Sequence, residues 1–253
     1  MTPDVVVDIG NTRTKFGLCD GDRIAVVATP PPLERGDAGS IAAEFGFSER
    51  VRWAVAGVQP ERQAEFVAWA RGRGDEVTVI EDYRQLPLKI SVESPDRVGI
   101  DRLLGAVGVN RRRTPGKPAL FVDAGSAITV NLIDAEGKFR GGSIAPGLVL
   151  MARALNSFTA KLPLVSPDWM LLVIPPKYPG GTTANAILCG LRAAAIGGVR
   201  ELVTEVGRTG SAPELFVTGG DGHILAEGLT DLNPLYVTDL TLEGTRIAAE
   251  ALP

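Results

Sequence analysis

Histidine and cysteine are scarce in this 253-residue chain, and their shortage removes a class of function. The single histidine, His223, and the two cysteines, Cys19 and Cys189, offer no zinc or redox spacing, because such sites need clustered ligands at short intervals. Two distant thiols fit a reducing compartment and not a disulfide framework. Basic residues are not in excess. With 26 Lys and Arg against 30 Asp and Glu, the net charge is −4, which argues against a nucleic-acid footprint. The one basic run, Arg111-Arg112-Arg113, follows a predicted helix, where cations suit the negative end of the dipole. No apolar run approaches the roughly 20 residues that cross a bilayer. The N-terminus enters a strand without a basic-then-apolar leader pattern. The expectation is a cytoplasmic protein with neither a nucleic-acid nor a membrane partner.

What the chain has instead is glycine (30 residues), 18 prolines and a 45% apolar share, the profile of a globular protein with a full core. Its length fits one large domain or two of ordinary size. Val5–Asp8, Thr14–Leu18 and Ile24–Ala28 read as three successive strands, and apolar runs predict two more at Val51–Val58 and Val77–Ile80. Helices are predicted at Ser40–Phe45, Glu61–Arg73 and from Asp96 to Arg111, after loops carrying Pro30-Pro31-Pro32 and Pro87 and Pro95. Strands then recur at Ala119–Val122, Val130–Ile133, Lys138–Ile144, Leu215–Val217 and Leu235–Val237. They alternate with helices at Leu148–Leu155, Ala184–Val206, Ile224–Glu227 and Thr241–Leu252, an α/β pattern. The proline-rich stretch 156–181 reads as a binding loop or lid.

The opening pattern occurs twice. A buried strand ends in Asp8-Ile9-Gly10-Asn11-Thr12-Arg13-Thr14-Lys15, and half a chain later another ends in Asp123-Ala124-Gly125-Ser126-Ala127-Ile128-Thr129. Aligning Asp8 with Asp123 also aligns Gly10 with Gly125, Asn11 with Ser126 and Thr14 with Thr129. A duplicated domain pair, 1–115 and 116–253, explains this, with one turn from each half facing a shared cleft. Gly10 and Asn11 can adopt positive φ, so the first turn is either a plain polar hairpin tip or a phosphate cradle. In the second reading backbone N–H groups, the Thr12 and Thr14 hydroxyls and Lys15 hold phosphate oxygens, while Asp8 holds a metal or its water. Gly141–Gly147 and Thr218–Gly222 are two further glycine-rich turns. In the latter, Gly219 and Gly220 would let a flat nucleoside lie against the backbone. Such turns suit nucleotides at strand ends, yet none fits the P-loop or dinucleotide signature. In Gly99-Ile100-Asp101-Arg102, Asp101 is either a base for a substrate hydroxyl or an acid placed near a helix start. Arg102 is either an anion fork or a solvated charge. His223 reads as a cap or surface residue.

The ordered set DIGNTRTK (8–15), GIDR (99–102), DAGSAIT (123–129), GGSIAPG (141–147), Thr183 and VTGGDG (217–222) resembles type III pantothenate kinases over most of the chain. That resemblance implies duplicated ribonuclease-H-like domains of the acetate kinase, sugar kinase, Hsp70 and actin superfamily, whose halves close on ATP. It implies phosphorylation of pantothenate, the first step of coenzyme A synthesis, with ATP as co-substrate. Asp8 to Lys15 would then bind the ATP phosphates, with Asp8 near Mg²⁺. Asp101 would be the general base, and Gly99 to Arg102 with Thr183 would line the pantothenate site. Ser126, Gly219 and Gly220 would contact ATP, and Asp123 would bind an activating K⁺ or NH₄⁺. A homodimer with pantothenate at the subunit interface is also implied. Three positions depart from the usual pattern: Ser126 for threonine, Val92 for a tyrosine and Asn185 for a glutamate. The last two leave open a non-catalytic regulator like the Bvg accessory factor relatives, or a kinase for another small hydroxy-acid.

Overall fold

The structure, a computed structural model, describes residues 2–28, 46–47, 49–166, 177–208 and 210–252. The predicted loop at Pro30–Pro32, the predicted helix Ser40–Phe45 and the middle of the 156–181 stretch lie outside the described residues. The chain divides into two compact units: residues 1–112 with 137–139 and 239–253, and residues 113–136 with 140–238.

The first unit is built on a five-stranded sheet, ordered β3-β2-β1-β4-β5. Its strands are β1 (Val5–Ile9), β2 (Thr14–Asp20), β3 (Arg23–Ala28), β4 (Arg52–Gly57) and β5 (Glu76–Ile80). The first three form an antiparallel meander, and β4 and β5 add in parallel. Val5, Val6 and Val7 are wholly buried, as a central strand covered on both faces requires. The parallel crossover from β4 to β5 uses helix α1 (Pro60–Gly72), whose Phe66, Val67 and Ala70 enter the core. Few as they are, the aromatics concentrate there. The Trp53 ring meets Phe66 at 5.3 Å and Trp69 at 6.1 Å, and Phe16 meets Phe66 at 5.9 Å. The buried Trp53 indole donates to Asp75 (2.9 Å), which also accepts from the Val51 N–H and Arg73, so a buried carboxylate is paired.

Helix α2 (Ile100–Arg112) starts four residues later than the sequence reading places it, because Pro95–Arg97 forms a separate 3₁₀ turn. It packs against the last helix, α6 (Leu240–Ala251). The crossing is close: a Cβ on Gly108 would collide with the Leu240 carbonyl, and one on Gly244 with the Leu104 carbonyl. The C-terminal helix therefore belongs with the first unit, not with the 116–253 half expected from the sequence. It covers the apolar face of α2, and Arg112 pairs with Glu243 at 2.5 Å.

The second unit repeats the strand order as β8-β7-β6-β9-β10. Its strands are β6 (Ala119–Ala124), β7 (Ala127–Ile133), β8 (Phe139–Pro146), β9 (Glu214–Thr218) and β10 (Leu235–Tyr236). Again one hairpin is antiparallel and the later strands add in parallel. The helices are α3 (Leu148–Ser157), α4 (Thr183–Arg208) and α5 (Gly222–Gly228). Its core joins Leu120, Val122, Val130, Leu188, Leu191, Leu215 and Val217 from sheet and helices. The repeat legible in the sequence is thus a repeat of topology, strand for strand.

Candidate active site

In the first unit the β1–β2 hairpin sets the opening turn. Register pairs Asp8 with Lys15 and Ile9 with Thr14, so residues 10–13 alone form the loop. Neither Gly10 nor Asn11 takes the positive φ that the sequence suggests. Space is tight there instead, since a Cβ on Gly10 would lie 3.0 Å from the Arg13 carbonyl that its own N–H reaches. Asn11, Thr12 and Arg13 are exposed, Asp8 and Lys15 are half-buried, and Ile9 is a core residue. Thr14 is buried at 4% exposure, and its hydroxyl accepts from the Arg62 guanidinium at 2.9 Å. The other arm of Arg62 reaches the Gly10 carbonyl at 3.1 Å.

The same unit carries Gly99–Arg102. Gly99 sits just before α2, and Asp101 lies in its first turn, where a negative charge opposes the helix dipole favourably. Its Oδ1 accepts the Arg102 backbone N–H at 2.8 Å. A Cβ on Gly99 would stand 2.5 Å from that oxygen, so glycine makes room for the carboxylate. Burial pushes the Asp101 pKa above the ordinary value of 3.8, against the hydrogen bond and charge of Arg102. Burial also lowers the Arg102 pKa. Its guanidinium lies 5.7 Å from the centre of the buried Phe139 ring. Phe139 is held in turn by backbone bonds to Lys89 and Ser91. Ile100 faces the core, and Val92 is half-buried.

In the second unit two further glycine-rich turns, 141–147 and 218–222, converge on residues 123–126. The Asp221 N–H donates to the Ala124 carbonyl (2.9 Å), and the Gly147 N–H donates to the Ser126 carbonyl (3.1 Å). Gly219 has φ +95°, and a Cβ there would lie 2.5 Å from Asp123 Oδ1 and would collide with the Ala124 carbonyl. A Cβ on Gly147 would collide with the Gly125 carbonyl. These glycines are there for close approach, which leaves the half-buried Asp123 carboxylate against the GGDG turn. Ser126 and Gly220 are exposed beside it. Thr182, not Thr183, caps α4, since its hydroxyl accepts the Asn185 N–H at 3.2 Å. Thr183 instead lines a cavity of about 720 Å³ with Pro146, Met151, Phe158, Ile187 and Leu191.

Sequence reasoning missed Arg62 and Phe139. No motif spacing links Arg62 to residues 10–14. The link is made by parallel pairing of β4 with β1, which sets Gly57 opposite Ile9 and delivers the start of α1 to the turn. Among the described residues no cluster of three or more His, Cys, Asp or Glu forms a metal site, and no helix is long and apolar enough to cross a membrane.

Two β-β-β-α-β-type units, each ending its first strand in an Asp-x-Gly turn, make a duplicated α/β fold of the ribonuclease-H-like type. Solved structures agree at the level of fold. A protein described as a Baf family transcriptional activator from Campylobacter jejuni superposes with a TM-score of 0.61 at 21% identity, covering 97% of both chains. The activator of 2-hydroxyisocaproyl-CoA dehydratase from Clostridium difficile, with bound ADPNP, gives 0.52 at 14% identity over 98% of this chain and 95% of that one. Sequence comparison narrows the class. The profile described as type III pantothenate kinase matches residues 5–205. The type III pantothenate kinase of Persephonella marina is 32% identical over 250 residues, 94% of each chain. The chain belongs to the type III pantothenate kinase family.

Proposed function

We propose that this protein transfers the γ-phosphoryl group of ATP to the hydroxyl of pantothenate, forming 4′-phosphopantothenate in the first step of coenzyme A synthesis. The observation that carries the reading is Asp101, a half-buried carboxylate that accepts the Arg102 N–H and whose pKa desolvation raises, in a chain matched to the family over residues 5–205. In this reaction the hydroxyl oxygen bonds to phosphorus as the bond to the ADP oxygen breaks, and the hydroxyl proton passes to Asp101. A raised pKa makes Asp101 a better proton acceptor than an ordinary aspartate, provided it is ionised. Arg102 holds an anionic group of the substrate, and its cation–π approach to the Phe139 ring helps position the guanidinium. Thr183 is a further substrate contact, since its hydroxyl is not the one that caps α4. The turn from Asp8 to Lys15 takes the ATP phosphates, supported by its exposed Asn11, Thr12 and Arg13 and by Lys15. Ser126, Gly219 and Gly220 take the rest of the nucleotide.

The donor sets fit the ions that the family reading implies. Asp8, half-buried at the end of β1, suits Mg²⁺, which is commonly held by one or two carboxylates plus water and phosphate oxygens. When bound, that ion neutralises charge on the phosphates. The Asp123 carboxylate beside the Ala124 carbonyl supplies oxygen donors of the kind K⁺ or NH₄⁺ takes. The exposed apolar side chains of Phe158 (88%), Tyr178 (89%) and Leu164 (60%) supply surface suited to a homodimer, with pantothenate bound at the interface. The enzyme would work in the cytoplasm. Substituting Asp101→Asn in the purified protein should collapse turnover about 10²–10⁴-fold while nucleotide binding persists. Near-normal turnover would remove Asp101 as the base.

A further inference from the structure

Arg62 lies on α1, outside every motif, yet its guanidinium spans the base of the opening turn. One nitrogen donates to the Gly10 carbonyl (3.1 Å) and another to the Thr14 hydroxyl (2.9 Å). The two acceptors flank the loop, one at each end. A turn that binds phosphate must present donors and turn its carbonyl oxygens away, because an oxygen aimed at an anion repels it. Within residues 10–14 the Arg13 carbonyl is already occupied by the Gly10 N–H (3.0 Å). Arg62 takes the Gly10 carbonyl and engages Thr14, which at 4% exposure is buried. Exposed Asn11, Thr12 and Arg13 are then what the turn offers outward. The same guanidinium brings a fixed positive charge beneath a loop meant for a polyanion, where charge-assisted bonds are the strong ones.

We infer that Arg62 is a positioning residue for the nucleotide: it holds the opening turn in its donor-outward form and so sets affinity for the ATP phosphates. This rests on the assignment of residues 8–15 to ATP. A lysine cannot replace it fully, because one ammonium on a flexible stem does not offer two fixed donors to acceptors at opposite ends of a loop. Glutamine at this position keeps a shorter polar chain and removes the charge.

The test is titration of wild-type, Arg62→Lys, Arg62→Gln and Arg62→Ala proteins with ATP·Mg²⁺ by calorimetry, alongside KM for ATP, KM for pantothenate and melting temperature. Expected is a loss of ATP affinity of about tenfold or more in Arg62→Ala and Arg62→Gln, with partial recovery in Arg62→Lys. The KM for pantothenate should stay within about twofold, which a general loosening of the fold would not permit. Wild-type ATP affinity in folded Arg62→Ala or Arg62→Gln overturns the inference and leaves the nucleotide assignment intact. Equal losses for both substrates, tracking melting temperature and without recovery in Arg62→Lys, also overturn it. Should the wild-type protein bind no ATP, the nucleotide assignment fails and the inference fails with it.

Discussion

Replacing Gly219 with alanine attacks the second unit at the point where three turns meet. Two costs add. The residue sits at φ +95°, where a side chain costs about 1–2 kcal/mol. The new Cβ would also stand 2.5 Å from Asp123 Oδ1 and collide with the Ala124 carbonyl, and backbone cannot yield as a flexible side chain does. Overpacking of that kind costs about 1–3 kcal/mol. The loss is therefore about 2–5 kcal/mol, a large part of a typical domain's stability. It corresponds to a melting temperature lowered by roughly 5–15 °C. Because the displaced oxygen belongs to Asp123, the variant should also respond less to K⁺ and show a raised KM for ATP. Gly197→Ala is the control. It lies on an exposed turn of α4 where a Cβ meets nothing, so it should be neutral or stabilising by up to about 1 kcal/mol. Calorimetry of both variants, with ATP and K⁺ titrations, decides the matter. A Gly219→Ala protein with wild-type melting, ATP affinity and K⁺ response would refute the packing argument.

Two further outcomes follow from titrating groups. Burial raises the Asp101 pKa above 3.8, and the base works only when ionised, so activity falls as pH drops through that raised value. The acid limb of kcat/KM should therefore lie above the ordinary aspartate range, and a limb at or below 3.8 would contradict the burial of the carboxylate. Burial also pushes the Cys19 thiol up to about 11, so it carries little thiolate at pH 8. Mass spectrometry after brief iodoacetamide treatment should find Cys19 unmodified in the native protein and modified after denaturation.

Much of the fold was legible because its signals are local. The apolar runs of β1, β4 and β6 and the Asp-x-Gly turns announced both sheets, and the internal alignment of Asp8 with Asp123 announced the repeated topology. Three details were not legible, two because they depend on contacts distant in sequence and one because periodicity does not separate two kinds of turn. The C-terminal helix joins the first unit through Gly108 against Leu240 and Gly244 against Leu104, contacts that form only after folding. The start of α2 slips to Ile100 because Pro95 favours a separate 3₁₀ turn, which periodicity does not distinguish from a helix start. Arg62 reaches the opening turn through a parallel strand pairing that no motif encodes. At the site, residue types at Asp8, Asp101 and Asp123 could be read from the sequence. The partial burial of Asp101 and the convergence of two other turns on residues 123–126 could not.

The central claim is pantothenate phosphorylation, and it is tested most directly by measuring 4′-phosphopantothenate by mass spectrometry. Purified protein would be given ATP, Mg²⁺ and pantothenate in potassium buffer and in sodium buffer. The account predicts product that forms with one ADP per phosphopantothenate, faster in potassium, and absent when pantothenate is withheld. ATP hydrolysis without phosphopantothenate, or no consumption of ATP in either buffer, would contradict it.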